Sequence, residues 1–183
     1  MSRIITSIIL LMTMGFCGCG LSRRNTDDID GGVKTYNSGE ASPKVVESTK
    51  IVSFKCEFSL LAAVLEEESE LNGRIYTLDA ELDDGTVKCK IGCYGRESSS
   101  VPKEFTADAS FMTSLQEIVS KYDFAQHNGY ISKVSGLPHM YGAKLDIKYT
   151  SGEIIYAYDN QDCFISIDAI NELVEIFNIT EKE

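Results

Sequence analysis

The dipeptide Asp84-Gly85 constrains this chain more than any other feature, because a two-residue hairpin loop needs positive φ at both central positions and Asp-Gly supplies them cheaply. If Asp83 faces Thr86 across that loop, the flanking residues fall into a fixed register. Leu82 then meets Val87, Ala80 meets Cys89, Leu78 meets Ile91 and Tyr76 meets Cys93 on one side of the hairpin. On the other side Glu81 faces Lys88 and Asp79 faces Lys90. A one-residue slip would destroy the apolar set and the charged set together, so the register is strongly specified.

The same alternation marks other strands. In Ile51 to Phe58, the residues Val52, Phe54, Cys56 and Phe58 share one face and Ser53, Lys55 and Glu57 the other. A second hairpin is expected from Lys144–Tyr149 and Glu153–Tyr158 around Ser151-Gly152. With a two-residue loop it pairs Leu145 with Tyr158, Ile147 with Tyr156 and Tyr149 with Ile154; a three-residue loop would shift the pairing. Residues 59–71 fit a helix or a strand running into a loop.

Two helices follow the hairpins. Asp108 is placed to cap a helix with the apolar stripe Phe111, Leu115, Ile118, Val119 and Tyr122. Ser166 is placed to cap another with Ile167, Ile170, Leu173, Val174 and Phe177. Strands with one apolar face need a cover, and amphipathic helices provide it. The expected fold is therefore α+β: an antiparallel sheet of about five strands with two amphipathic helices on one face, in two hairpin-then-helix units.

The N-terminus reads differently. Arg3 precedes an apolar run from Ile4 to Phe16, 13 residues or roughly 20 Å of helix, too short to span the hydrocarbon layer of about 30 Å. The segment reads as a signal peptide over residues 1–18. With Gly18-Cys19 behind it, the segment resembles a bacterial lipoprotein signal, in which a Cys after a small residue is lipidated and becomes the new N-terminus. The resemblance implies lipidation at Cys19, preferred to Cys17 because Phe16 is large, and a protein on the outer side of the cell membrane. A plain secretory peptide and an uncleaved signal anchor are the alternative readings. Residues 19–50 are polar without apolar periodicity and read as the lipidated Cys and a flexible tether. Residues 51–183 read as one domain.

Over residues 75–177, the order of segments, with Lys121-Tyr122-Asp123-Phe124 followed by Asn128-Gly129-Tyr130, resembles uncharacterised lipoproteins of Gram-positive bacteria. That resemblance implies an extracytoplasmic domain and no particular activity.

Charge narrows the partners. The 183 residues carry −11, and eleven of the 17 basic and 23 of the 28 acidic residues lie in 51–183, a net −12 there. Such a surface repels phosphate backbones, which argues against nucleic acid and for a basic protein or peptide partner.

Motifs for chemistry are sparse. Cys89 and Cys93 lie four apart on one strand face, about 13 Å, too far for a disulfide or for convergent metal ligands. Cys56, Cys89 and Cys93 are expected as buried thiols, with a Cys56 disulfide to Cys89 or Cys93 as the alternative; Cys163 lies outside this set. Asp159-Asn160-Gln161-Asp162 lacks the Gly and distal Glu of a calcium loop and reads as a polar turn. No cofactor or metal is expected. The two histidines, His127 and His139, both fall in the long connection 126–142, where Tyr130, Tyr141 and Asp146 lie near in sequence. This loop is the expected binding region, beside an open face formed by Asp146, Lys148, Ile155 and Ala157 with Ile155 as an exposed anchor. A non-catalytic, membrane-anchored binding module is the expected function. The alternative is a small hydrolase with its site in the 126–142 loop, using His127 or His139 in a pocket that joins it to a carboxylate or thiol.

Overall fold

A computed structural model of the chain describes residues 34–60, 74–95, 101–137 and 141–179. Its strands are β1 Lys34–Asn37, β2 Ile51–Ser59, β3 Arg74–Asp83, β4 Thr86–Gly95, β5 Lys103–Asp108, β6 Ile131–Val134, β7 Ala143–Tyr149 and β8 Ile154–Asp159. Helix α1 spans Ser110–Lys121, a 3-10 turn follows at Phe124–His127, and α2 spans Ile167–Ile179. The fold is α+β.

All eight strands join one sheet in the order β1-β6-β8-β7-β2-β3-β4-β5. The five strands expected from alternation are β2, β3, β4, β7 and β8; β1, β5 and β6 extend the sheet to eight. The sheet is mixed rather than purely antiparallel, because β6 runs parallel to β8. Strands of four residues carry too little pattern to be read from alternation, and β1 pairs with a strand nearly a hundred residues away.

The first hairpin has the register set by its turn. Asp84 sits at φ 48° and Gly85 at φ 82°, and Leu82↔Val87, Ala80↔Cys89, Leu78↔Ile91 and Tyr76↔Cys93 pair as expected. The second does not. Tyr149 N–H donates to the Glu153 carbonyl, Gly152 takes φ 87°, and the loop is Thr150-Ser151-Gly152. A three-residue loop ending in a left-handed glycine shifts the pairing by one. Leu145 therefore meets Ala157 and Ile147 meets Ile155. Ile155 and Ala157, expected on the open face, are fully buried, and Ile154 and Tyr156 point outward instead.

Both helices cover the apolar side of the sheet. Phe54, Cys56 and Phe58 of β2, Leu78 and Ala80 of β3 and Leu145 and Ile147 of β7 are buried beneath Leu115, Ile118, Ile170, Leu173 and Phe177. Phe105, Phe111 and Phe177 meet edge to face at 5.2 to 6.2 Å, locking β5, α1 and α2 together. Between the helices, the Lys121 ammonium and the Tyr122 hydroxyl both donate to the Glu172 carboxylate. The Ser166 hydroxyl accepts from Ala169 N–H at 3.3 Å, the cap expected for α2. At α1 the N-cap is Ala109, and the Asp108 carboxylate instead accepts from Ser110 N–H at 2.7 Å.

Residues 34–50 are part of this fold rather than tether. β1 pairs with β6, and a Gly39–Ser42 turn then seats against Gly129 so closely that a Cβ on Gly129 would lie 1.9 Å from Ser42 Oγ. Cys17, Cys19 and most of the segment 59–71 lie outside the described residues.

Candidate functional site

The connection after α1 spends its polar groups on structure. Asp123, at φ 49°, reverses the chain out of the helix, and Phe124 drops into the core. Asn128 then bridges two elements: its Nδ2 donates to the Pro43 carbonyl and its Oδ1 accepts from Tyr156 N–H. Gly129 N–H donates to the Tyr156 carbonyl and Tyr158 N–H to the Tyr130 carbonyl, a ladder that continues into the β6–β8 pair.

His127 is half-buried, with its ring centroid 5.0 Å from that of Phe164. Burial pushes its pKa below the ordinary value, the nearby Lys44 adds to this, and Asp123 opposes it. The imidazole is therefore neutral at pH 7. Among the described residues no carboxylate or thiol hydrogen-bonds to it, so the geometry supplies no group to orient it as a base. His139 lies outside the described residues. Tyr130 packs on the same Phe164 at 5.8 Å and donates its hydroxyl to Asp159 Oδ2 at 2.8 Å. Tyr141 is exposed two residues before β7, and Ile155 is in the core. Of the residues expected to bind, only His127 and Tyr130 are brought together, around Phe164.

The Asp159-Asn160-Gln161-Asp162 turn is equally structural. Asp159 Oδ1 accepts the N–H groups of Gln161 and Asp162, while the Asn160 side chain imitates a strand by accepting from Val134 N–H and donating to the Val134 carbonyl. Among the described residues, no group of three or more His, Cys, Asp and Glu side chains is placed to hold a metal.

Cys56, Cys89, Cys93 and Cys163 are all thiols. Burial pushes Cys56 well above the usual thiol range, Cys89 up to about 12 and Cys163 upward, the opposite of what a reactive thiolate requires. Cys93 sits at the sheet end, where Arg74 Nη1 approaches its Sγ at 3.8 Å.

The uncovered side of the sheet has more to offer. Its outward side chains line up across the strands in rows fixed by the register. One row runs Tyr156, Asp146, Lys55, Asp79, Lys90, Glu104 from β8 to β5. The flanking rows run Ile154, Lys148, Ser53, Glu81, Lys88, Thr106 and Tyr158, Lys144, Glu57, Thr77, Gly92. Signs alternate along the central row. Five lysines and five carboxylates face out, so these ten charges contribute nothing to the −12 of residues 51–183.

Ion pairing uses the pattern incompletely. Lys90 holds Glu104 at 2.9 Å and Lys55 lies 4.0 Å from Asp79, while Lys88 bonds Asp83 rather than the Glu81 opposite it. A depression of about 590 Å³ runs over β2 to β5 among Lys55, Asp79, Glu81, Lys90, Glu104 and Thr106. At the β8 end the face turns aromatic and apolar, with Ile154 49% and Tyr156 36% exposed. Sequence reading identified the Asp79–Lys90 and Glu81–Lys88 register but missed the full rows, because the β2–β7 and β4–β5 pairings that assemble them are not local.

No protein-family model matches the chain, and comparisons with curated proteins and with solved structures return no match.

Proposed function

We propose that the protein is a membrane-anchored extracytoplasmic binding module, held by a lipid on Cys19, which receives a protein partner on the open face of its sheet. The observation that carries this reading is the charge-alternating, aromatic-edged face with its 590 Å³ depression. Surface ion pairs of this kind add little stability, so ten aligned charges are of more use in setting the register of a partner. Balance also matters. A partner seated here meets both signs, while the net acidic domain speeds the approach of a basic protein or peptide from a distance.

The test is capture from envelope extract by the wild type and by a Lys55→Glu, Lys90→Glu double variant. A partner held by the wild type and lost by the variant is expected. The same partner held equally by both would remove the face from consideration.

A further inference from the structure

Among the described residues the sheet ends in β1 on one side and β5 on the other, and an edge strand leaves a row of backbone N–H and C=O groups without strand partners. β1 has four residues, all exposed. β5 is longer and partly apolar. It pairs with β4 without a register shift, has no internal proline, and keeps Lys103, Phe105 and Ala107 half-buried while Glu104, Thr106 and Asp108 are exposed. Phe105 packs edge to face on Phe111 and Phe177, so the core reaches the last strand of the sheet.

Which groups of β5 are open follows from the first hairpin. Its two-residue loop closes on Asp83 and Thr86 as a hydrogen-bonded pair, and such pairs alternate along an antiparallel ladder. Thr86, Lys88 and Lys90 therefore bond β3, and Val87, Cys89 and Ile91 turn their N–H and C=O groups to Ala107, Phe105 and Lys103 of β5. Glu104 and Thr106 are left with theirs directed out of the sheet.

We infer that this edge receives a second copy of the chain, β5 pairing antiparallel with β5 about a two-fold axis perpendicular to the sheet. That axis keeps the helices of both copies on one side, so even-numbered residues must face even-numbered ones. Charge then selects the register. Centring on Glu104 opposes it to its own copy, and centring on Thr106 opposes Glu104 to Asp108, so both stack carboxylates; centring on Lys103 or Ala107 runs β5 past its end. Centring on Phe105 sets Glu104 against the second copy's Thr106 and Lys103 against its Ala107, with no like charges opposed. Glu104 and Thr106 then exchange their open backbone bonds, and symmetry repeats the exchange. The two Phe105 rings meet at the axis, where side chains of a non-hydrogen-bonded pair come closest, and join the aromatic clusters of both copies. The net −12 of residues 51–183 opposes the approach of another copy, so added salt strengthens the pair. The contact depends on neither the partner proposed for the open face nor the lipid anchor.

The test is sedimentation velocity of the full chain in detergent over roughly 10 μM to 1 mM, a range suited to a weak contact of small area. A monomer to dimer equilibrium that tightens with salt is expected. Thr106→Pro removes an N–H that the fold itself does not use, and is expected to weaken the dimer about ten-fold or more, since symmetry removes the bond twice. Thr106→Glu sets a carboxylate against Glu104, is expected to weaken the dimer likewise, and stands in should the proline variant fail to fold. Adding Glu104→Lys to Thr106→Glu is expected to restore it. A wild type that stays monomeric, oligomers that grow beyond the dimer, a dimer undiminished in the folded Thr106 variants, or no restoration by Glu104→Lys would each overturn the pairing.

Discussion

Burial of a phenol favours its neutral form, and three of the nine tyrosines feel this strongly. Burial raises Tyr76, Tyr130 and Tyr149 to about 12 each, helped at Tyr76 by Cys93 and at Tyr130 by the bond to Asp159, and opposed at Tyr149 by the Gln116 amide. Because their folded pKa values lie above the unfolded value of about 10, the folded state retains protons that the unfolded state has released as pH rises between about 10 and about 12. Their contribution to stability is fully present below about pH 10 and is lost through that window. Ultraviolet titration is expected to show Tyr76, Tyr130 and Tyr149 ionising about two units above the unfolded value, with the urea midpoint falling over the same range. A single transition near pH 10 with an unchanged midpoint would contradict the burial of these rings.

Among the elements, legibility in the sequence follows how local the decisive interaction is. Asp84-Gly85 fixes β3 and β4 through a turn whose own chemistry leaves one choice, and every expected pair of that hairpin is present. Ser151-Gly152 leaves two choices, and the three-residue loop inverts β8, so Ile155 becomes core and Tyr156 becomes surface. Helix stripes were legible because Leu115, Ile118, Ile170 and Leu173 recur at helical spacing whatever they pack against. What could not be read is the role of residues 34–50: their anchoring bonds run to Gln126, Asn128 and Glu153, about eighty to a hundred positions away, and nothing in a polar segment announces them. The candidate site shares this limit, since each row of the open face draws on strands far apart in sequence. Removing residues 34–50 is expected to cost about 3–5 kcal/mol, given about 1 kcal/mol for each neutral hydrogen bond and more for those of Lys44. Urea unfolding of chains starting at residue 34 and at residue 51 measures it, and hydrogen exchange is expected to accelerate first in β6, which loses β1 from its outer edge.

At the scale of the whole molecule, the acidic surface and the proposed anchor work against each other. The −12 of residues 51–183 would be repelled by an anionic membrane surface, so the proposed attachment would rest on the N-terminal segment. Among the described residues no helix is long and apolar enough to cross a membrane. Only residues 20–33 separate Cys19 from the first strand, which at about 3.4 Å per residue limits the reach from the bilayer to about 50 Å. On the proposed reading, a lipid on Cys19 would hold the domain near the surface while its charge keeps it from lying down on it, leaving the open face accessible. High salt, which screens charge but not hydrocarbon, is expected to leave the wild type in the membrane fraction, whereas detergent releases it. Cys19→Ala is expected to abolish incorporation of a palmitate analogue and to move the protein out of the salt-washed membrane fraction. Retention of the variant there, with label undiminished, would place the attachment at another residue, and retention without label would make the apolar run Ile4 to Phe16 an uncleaved anchor.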